Sequence, residues 1–249
     1  MKLTNKVAII TGATQGIGKA TAIEMAKENC NLILTYNTNK EQLEKLKQEL
    51  ENTYHIEILI QKLNLTNQED IDKLVENSVN KFKHIDILVN NAAISIDTAL
   101  EDKTKENFLK ILDTNLVGPF LLSRLVANQM LKQKQGKIIN IASTNALESY
   151  YTESLDYDAS KAGLISLTHN LALAYKPYIN VNAVAPGWVN TEMNHNLSQD
   201  FIEQENKKIY MNRFANPSEI AKVITFLATD DANYINNEII RVDGGQTHE

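Results

Sequence analysis

Apolar and polar positions follow two rhythms along this chain, and the two take turns. Short, nearly unbroken aliphatic and β-branched runs recur at Lys6–Thr11, Asn31–Tyr36, Ile56–Leu63, Ile85–Asn90, Lys137–Ser143, Ile179–Ala185 and Glu238–Val242. Between them lie stretches compatible with helices: Gly16–Asn29, Lys40–Asn52, Gln68–Phe82, Lys105–Gln133, Tyr157–Tyr175 and Ser218–Thr229. In Lys40–Asn52, for example, Leu43, Leu46 and Leu50 share one face and lysines and glutamates cover the rest. Strands that are apolar on both faces and separated by helices predict a parallel sheet covered on both sides. Right-handed crossovers then make the sheet doubly wound. The expected fold class is therefore α/β, a Rossmann-type sheet with a strand for each of the seven runs.

No Gly/Ser/Pro-rich linker, repeat or low-complexity tract interrupts the alternation, so residues 1–249 are expected to form one domain, within the range of domain lengths. The one irregular stretch is Asn190–Asn212, polar and helix-capable, which follows the C-terminal end of a strand. Ligands of open α/β sheets bind at that edge, so this segment is a candidate substrate lid; a plain connecting helix is the simpler alternative.

Composition narrows the function. With 25 basic and 31 acidic side chains the formal charge is −6, which gives no general attraction to nucleic acid or anionic membrane. No apolar run approaches the ~18–20 residues of a membrane span, and Met1–Lys6 leaves no room for a secretory leader before the first strand; a cytoplasmic location is expected. Cys30 is the only cysteine, so there is no internal disulfide or thiolate cluster. The histidines (His55, His84, His169, His195 and His248) form no pair at ligand spacing, and no metal is expected.

The chemistry gathers at strand ends. Of nine glycines, Gly12, Gly16 and Gly18 fall within seven residues, in Thr11-Gly-Ala-Thr-Gln-Gly-Ile-Gly18, where the first strand turns into the first helix. Glycine there lets backbone N–H groups approach a diphosphate, and the helix N-terminus adds a positive end. Asn90-Asn-Ala-Ala93 follows the fourth strand, and Pro186-Gly187 ends the sixth, with Thr191 shortly after. Ser143 ends the fifth run, fourteen residues before Tyr157, and Tyr157-Asp-Ala-Ser-Lys161 sets Tyr and Lys one helical turn apart.

Together these motifs resemble the single-domain short-chain dehydrogenases/reductases, from Thr11 to the Asp243-Gly-Gly245 tail. The resemblance implies an oxidoreductase moving hydride between a nicotinamide ring and a carbonyl or secondary alcohol. It implies Tyr157 as general acid/base, with Lys161 lowering its pKa and holding the nicotinamide ribose. Ser143 would bind the reacting oxygen, and Asn115 would hold a water leading from Lys161 to solvent. Thr144, Ser149 and Ser154 are rivals of Ser143; Tyr150 and Tyr151 lack the following lysine. The implied cofactor contacts are Gly12, Thr14, Gln15, Gly16, Ile17, Gly18, Tyr36, Asn37, Asn64, Leu65, Asn91, Ala92, Ala93, Tyr157, Lys161, Pro186, Gly187, Val189 and Thr191.

NAD-preferring relatives usually carry an acid at the end of the second strand, where this chain has Tyr36. NADP(H) is therefore expected over NAD(H), although Gln15 replaces the glycine-loop arginine of many NADP enzymes, and Lys19 and Lys40 are the nearby cations. The apolar positions of Tyr157–Tyr175 run nearly all the way round, which matches the family's dimers and tetramers and predicts a homotetramer or homodimer.

Within the family, four segments most resemble the 3-oxoacyl-[acyl-carrier-protein] reductases: Ile85–Asn91, Gln135–Asn140, Val181–Gly187 and Arg213–Ala221. That implies a 3-oxoacyl thioester substrate and an acyl carrier protein as partner, although the helix ends near Lys132–Lys137 and Lys176 offer lysines but no arginine for docking it. Glu148, Glu153 and Asp156 stand beside the catalytic pair and oppose an acidic carrier. A sugar, polyol or small-ketone dehydrogenase/reductase shares every motif, and a non-catalytic cofactor-binding sensor is the third reading.

Overall fold

The computed structural model describes residues 1–148 and 150–247. Seven parallel strands form one sheet in the order β3-β2-β1-β4-β5-β6-β7. They are β1 (Val7–Ile10), β2 (Asn31–Tyr36), β3 (Ile58–Lys62), β4 (Ile87–Asn90), β5 (Gly136–Ile141), β6 (Ile179–Pro186) and β7 (Ile239–Val242). The order reverses between β1 and β4, and the C-terminal ends of those two strands diverge around a crevice.

Eight α-helices are described: α1 (Gly16–Lys27), α2 (Lys40–Tyr54), α3 (Gln68–Phe82), α4 (Lys105–Leu112), α5 (Gly118–Gln133), α6 (Leu155–Tyr175), α7 (Gln199–Lys207) and α8 (Pro217–Ala228). Their starts follow local chemistry. Asn39, Asn67 and Ser198 accept hydrogen bonds from the first-turn N–H groups of α2, α3 and α7, and Asn216 with Glu219 makes a reciprocal cap on α8 behind Pro217. Gln15 gives α1 no side-chain cap, so the N-terminus that faces the crevice keeps its N–H groups for a ligand.

Alternation along the strands divides the core in two. Ala8 and Ile10, Leu32 and Leu34, and Ile139 and Ile141 pack on the face covered by α1, α2 and α8. Val7 and Ile9, Ile33 and Ile138 pack on the other, against α3, α5 and α6. A buried chain of polar side chains crosses the second face: Asn90 Nδ2 donates to Ser123 Oγ (2.9 Å) and Asn140 Oδ1 (2.8 Å), and Asn140 Nδ2 donates to Thr168 Oγ1 (2.8 Å). It locks β4, β5, α5 and α6 in register just below the crevice.

Two details differ from the sequence pattern. Lys105–Gln133 is helical throughout but not uniformly α: Asp113–Val117 forms a π-helical turn between α4 and α5, and this turn carries the buried Asn115. Strand β5 stops at Ile141, so Ser143 stands two residues beyond it, as the extended residue that starts a 3-10 turn at Thr144–Ala146. The segment Asn190–Asn212 holds a short 3-10 turn and α7. Leu109, Val117, Phe120 and Leu173 leave an apolar surface on α4–α6, and among the described residues no helix is long and apolar enough to cross a membrane.

Candidate active site

A cavity of about 1040 Å³ runs along the C-terminal edge of the sheet through the β1/β4 crevice. Its glycine-loop end is built from backbone. Gly12 and Gly16 adopt φ of +65° and +54°, the left-handed region that side chains rarely enter. Thr11 Oγ1 accepts from the N–H groups of Asn91 (2.9 Å) and Ala92 (3.0 Å), while Asn91 Nδ2 donates to the carbonyls of Thr11 (2.9 Å) and Gly12 (3.2 Å). The Asn91 amide is thus spent on clamping the two strand-end loops together.

Of the expected cofactor contacts, Gly12, Thr14, Gln15, Gly16, Ile17, Tyr36, Asn37, Asn64, Leu65, Asn91, Ala92, Ala93, Tyr157, Lys161, Pro186, Gly187, Val189 and Thr191 line this cavity. Gly18 does not. A Cβ there would lie 2.3 Å from the Gly12 carbonyl oxygen, so this glycine serves the packing of α1 on the loop. Thr38, Asn39, Leu63 and Thr66 line the adenosine end as well. Lys40 is drawn to Glu44 (3.0 Å) rather than into the cavity, whose described lysines are Lys110 and Lys161. The shape and the glycine cradle fit a dinucleotide.

The other end carries the reactive groups. Tyr157 is half-buried on the first turn of α6 and lines the cavity together with Ser143. Lys161 Nζ lies 5.5 Å from the Tyr157 ring centroid and donates to the Ile141 carbonyl (2.6 Å). Burial pushes the Tyr157 pKa up to about 12, outweighing the lowering influence of Ser143, and burial lowers Lys161 to about 8. In the ligand-free chain, desolvation of the phenolate is the larger effect. Asn115 does not line the cavity. Its Oδ1 accepts from Ile94 N–H (2.9 Å) and its Nδ2 donates to Ile94 O (2.8 Å) and Ser160 Oγ (3.1 Å), so it pins the loop after β4 to α6.

Of the rivals, Thr144, Tyr151 and Ser154 also line the cavity. Ser154 Oγ is spent on Tyr151 O and Asp158, while Ser149, like His248, lies outside the described residues. Tyr150 points to solvent, and His169 is on the surface against Asn237 (2.6 Å). The acidic loop is less acidic at the cavity than its sequence. Asp156 is fully buried against Lys103 (2.8 Å) and Glu148 pairs with Arg241 (3.2 Å), leaving Glu153 in the cavity wall.

The lysines stand at helix ends as expected: Lys132 in the last turn of α5, Lys134 and Lys176 just after α5 and α6, at the edge where β5 and β6 begin, opposite this chain's own cavity. Lys137 is buried and donates to the Thr229 carbonyl.

Sequence reasoning passed over Trp188, which stands in the wall of the reactive end; Phe201, in the candidate lid segment, and Asn145 stand there with it.

A crevice at the sheet's switch point, a glycine cradle and a Ser–Tyr–Lys cluster define a nicotinamide-dependent oxidoreductase. A family model described as Enoyl-(Acyl carrier protein) reductase matches residues 12–247. A 3-oxoacyl-[acyl-carrier-protein] reductase of Synechocystis sp. is 39% identical over 98% of this chain and 97% of its own. Levodione reductase superposes with a TM-score of 0.92 at 31% identity, over 98% of each chain. A short-chain dehydrogenase from Burkholderia cenocepacia, solved in complex with NADP, superposes at 0.93 with 26% identity over 98% of this chain and 99% of that one. The chain belongs to the short-chain dehydrogenase/reductase family and is an oxidoreductase.

Proposed function

We propose that this chain reduces a 3-oxoacyl thioester to the 3-hydroxyacyl form with NADPH. The observation that carries this reading is the grouping of Ser143, Tyr157 and, one helical turn further on, Lys161 in the wall of the dinucleotide cavity. The relatives' activity supports the thioester. When bound, the nicotinamide supplies the hydride to the carbonyl carbon. Tyr157 donates its phenolic proton to the carbonyl oxygen, and Ser143 stabilises the negative charge that develops there. A phenol with a raised pKa stays protonated through the neutral range, which suits donation in the reductive direction. Lys161, carried by the same helix, restores the charge balance once the phenolate forms.

NADP(H) over NAD(H) is supported by the neutral run Tyr36-Asn-Thr-Asn39 at the adenosine end, which offers a 2′-phosphate no carboxylate to repel it. The pairing of Asp156 and Glu148 with cations weakens the electrostatic objection to an acidic carrier protein. The apolar surface of α4–α6 supports a homodimer or homotetramer, and a cytoplasmic location accords with this metabolism. A small ketone is the second reading, favoured by the likeness to levodione reductase.

The test is NADPH consumption with acetoacetyl-CoA, with NADH and crotonyl-CoA in parallel. NADPH-selective turnover of the 3-oxo compound alone is expected. Turnover of free ketones without any thioester would transfer the assignment to the second reading.

A further inference from the structure

One cluster at the reactive end takes no part in the chemistry above. Glu205 on α7 is only 3% exposed, yet three donors converge on its carboxylate: Tyr151 Oη (2.8 Å), Trp188 Nε1 (3.0 Å) and Lys208 Nζ (2.6 Å). These groups belong to three separate segments: the loop between β5 and α6, the turn after β6, and the lid. Burial alone would raise the pKa of Glu205, but the hydrogen bonds from Lys208, Tyr151 and Trp188 outweigh it and hold the carboxyl below its ordinary value.

The rings around this carboxylate are interlocked. Trp188 meets Tyr151 edge-on (centroids 5.5 Å, 72°), Phe201 edge-on (5.4 Å, 84°) and Phe214 stacked (5.3 Å, 12°). From behind, the tail holds the lid through Thr247 N–H to Lys208 O (2.8 Å) and Tyr210 N–H to Gly245 O (3.3 Å). Tyr151, Trp188 and Phe201 nevertheless turn part of their surface into the cavity. An indole gripped by three rings and a buried carboxylate cannot swing aside without giving up its stacking and one of the three hydrogen bonds that hold that carboxylate.

We propose that Tyr151, Trp188 and Phe201 form a fixed end wall that restricts the substrate to a short acyl chain, and that Glu205 is the positioning residue that keeps this wall closed. The inference deepens the thioester reading and rests on it for the substrate's class: a short-chain 3-oxoacyl thioester.

The experiment compares kcat/KM for acetoacetyl-, 3-oxooctanoyl- and 3-oxododecanoyl-CoA with NADPH. The wild type is expected to lose about a hundredfold or more from the shortest to the longest. Trp188→Ala and Glu205→Ala should recover at least about tenfold of that loss, chiefly through KM for the long chains. Glu205→Gln, whose amide oxygen still accepts from Tyr151 and Trp188, should keep the wild-type profile, which a merely destabilising change would not. Tyr151→Phe is the milder second variant, used if Glu205→Ala does not fold. A flat wild-type profile, or an unchanged one in Trp188→Ala, overturns the wall.

Failure of the thioester reading looks different: no thioester is turned over while ketones are. The same length ratio is then taken between butanone and octan-2-one, and a flat ratio overturns the wall there too. Trp188 is the chain's only tryptophan, so its fluorescence gives a readout free of turnover. Acetoacetyl-CoA should quench it at lower concentration than dodecanoyl-CoA; equal quenching contradicts the proposal.

Discussion

The two ends of the cavity are made in different ways. The dinucleotide end is backbone: glycines at positive φ, an uncapped helix N-terminus, and a threonine and an asparagine that tie two strand-end loops together. The substrate end is side chain: three aromatic rings around Trp188, a buried carboxylate and a lysine–aspartate pair, drawn from segments far apart in the chain. Backbone is dictated by the fold, so the first end accepts the same ligand wherever the fold recurs. Side chains can be exchanged one at a time, so the second end is where one member of a family comes to differ from another.

Tyr157 is where the two ends meet, and removing its hydroxyl should separate them most sharply. Tyr157→Phe should lower kcat by about a thousandfold or more while the Kd for NADPH, followed by its fluorescence, changes less than about threefold. Substantial residual turnover would remove Tyr157 as the acid.

Next in size is Lys103→Met. Lys103 holds Ile96 O (2.7 Å) and the buried carboxylate of Asp156, and so ties the loop after β4 to the start of α6. Breaking one side of such a pair costs about 3–5 kcal/mol, enough to lower Tm by roughly 10 °C. The KM for the carbonyl substrate should rise while dinucleotide affinity holds. Equal losses at both ends would show that the two are not separable.

The smallest effect concerns Lys161. Its pKa falls from 10.5 to about 8 on burial, so the unfolded chain binds a proton that the folded chain gives up between those values. Stability should therefore rise with pH across that window, and below about pH 8 the buried ammonium carries its full cost. Lys161→Met should be inactive yet more stable than the wild type at pH 7, by on the order of 1–3 kcal/mol, with the gain shrinking toward pH 10.5. Denaturant midpoints at pH 7 and 10 measure this, and a variant equally destabilised at both would refute it.

How much was legible in the sequence follows the same division. The seven strands, the glycine turn and the Tyr157–Lys161 pair were readable because each depends on residue types at fixed local spacing. The π-helical turn at Asp113–Val117 was not, since one extra residue in a helical turn leaves the apolar period almost intact. Nor was the Trp188–Glu205 contact, or the shielding of Asp156 by Lys103, 53 positions away. Such pairs have no periodicity, and only the folded chain brings them together. For the lysines at 132–137 and 176, the charge and the helix ends were visible, but the edge of the sheet on which they fall was not.

The fastening of segment 190–212 by residues 244–247 also bears on the order of assembly. During synthesis the strands and loops that cradle the dinucleotide emerge and can pair early, whereas segment 190–212 lacks its last fastening until the tail after β7 is out. A nascent chain halted before Gly244 would thus offer a nucleotide site with an unfastened substrate chamber above it. Loss of a few terminal residues should erase selectivity before it erases cofactor affinity.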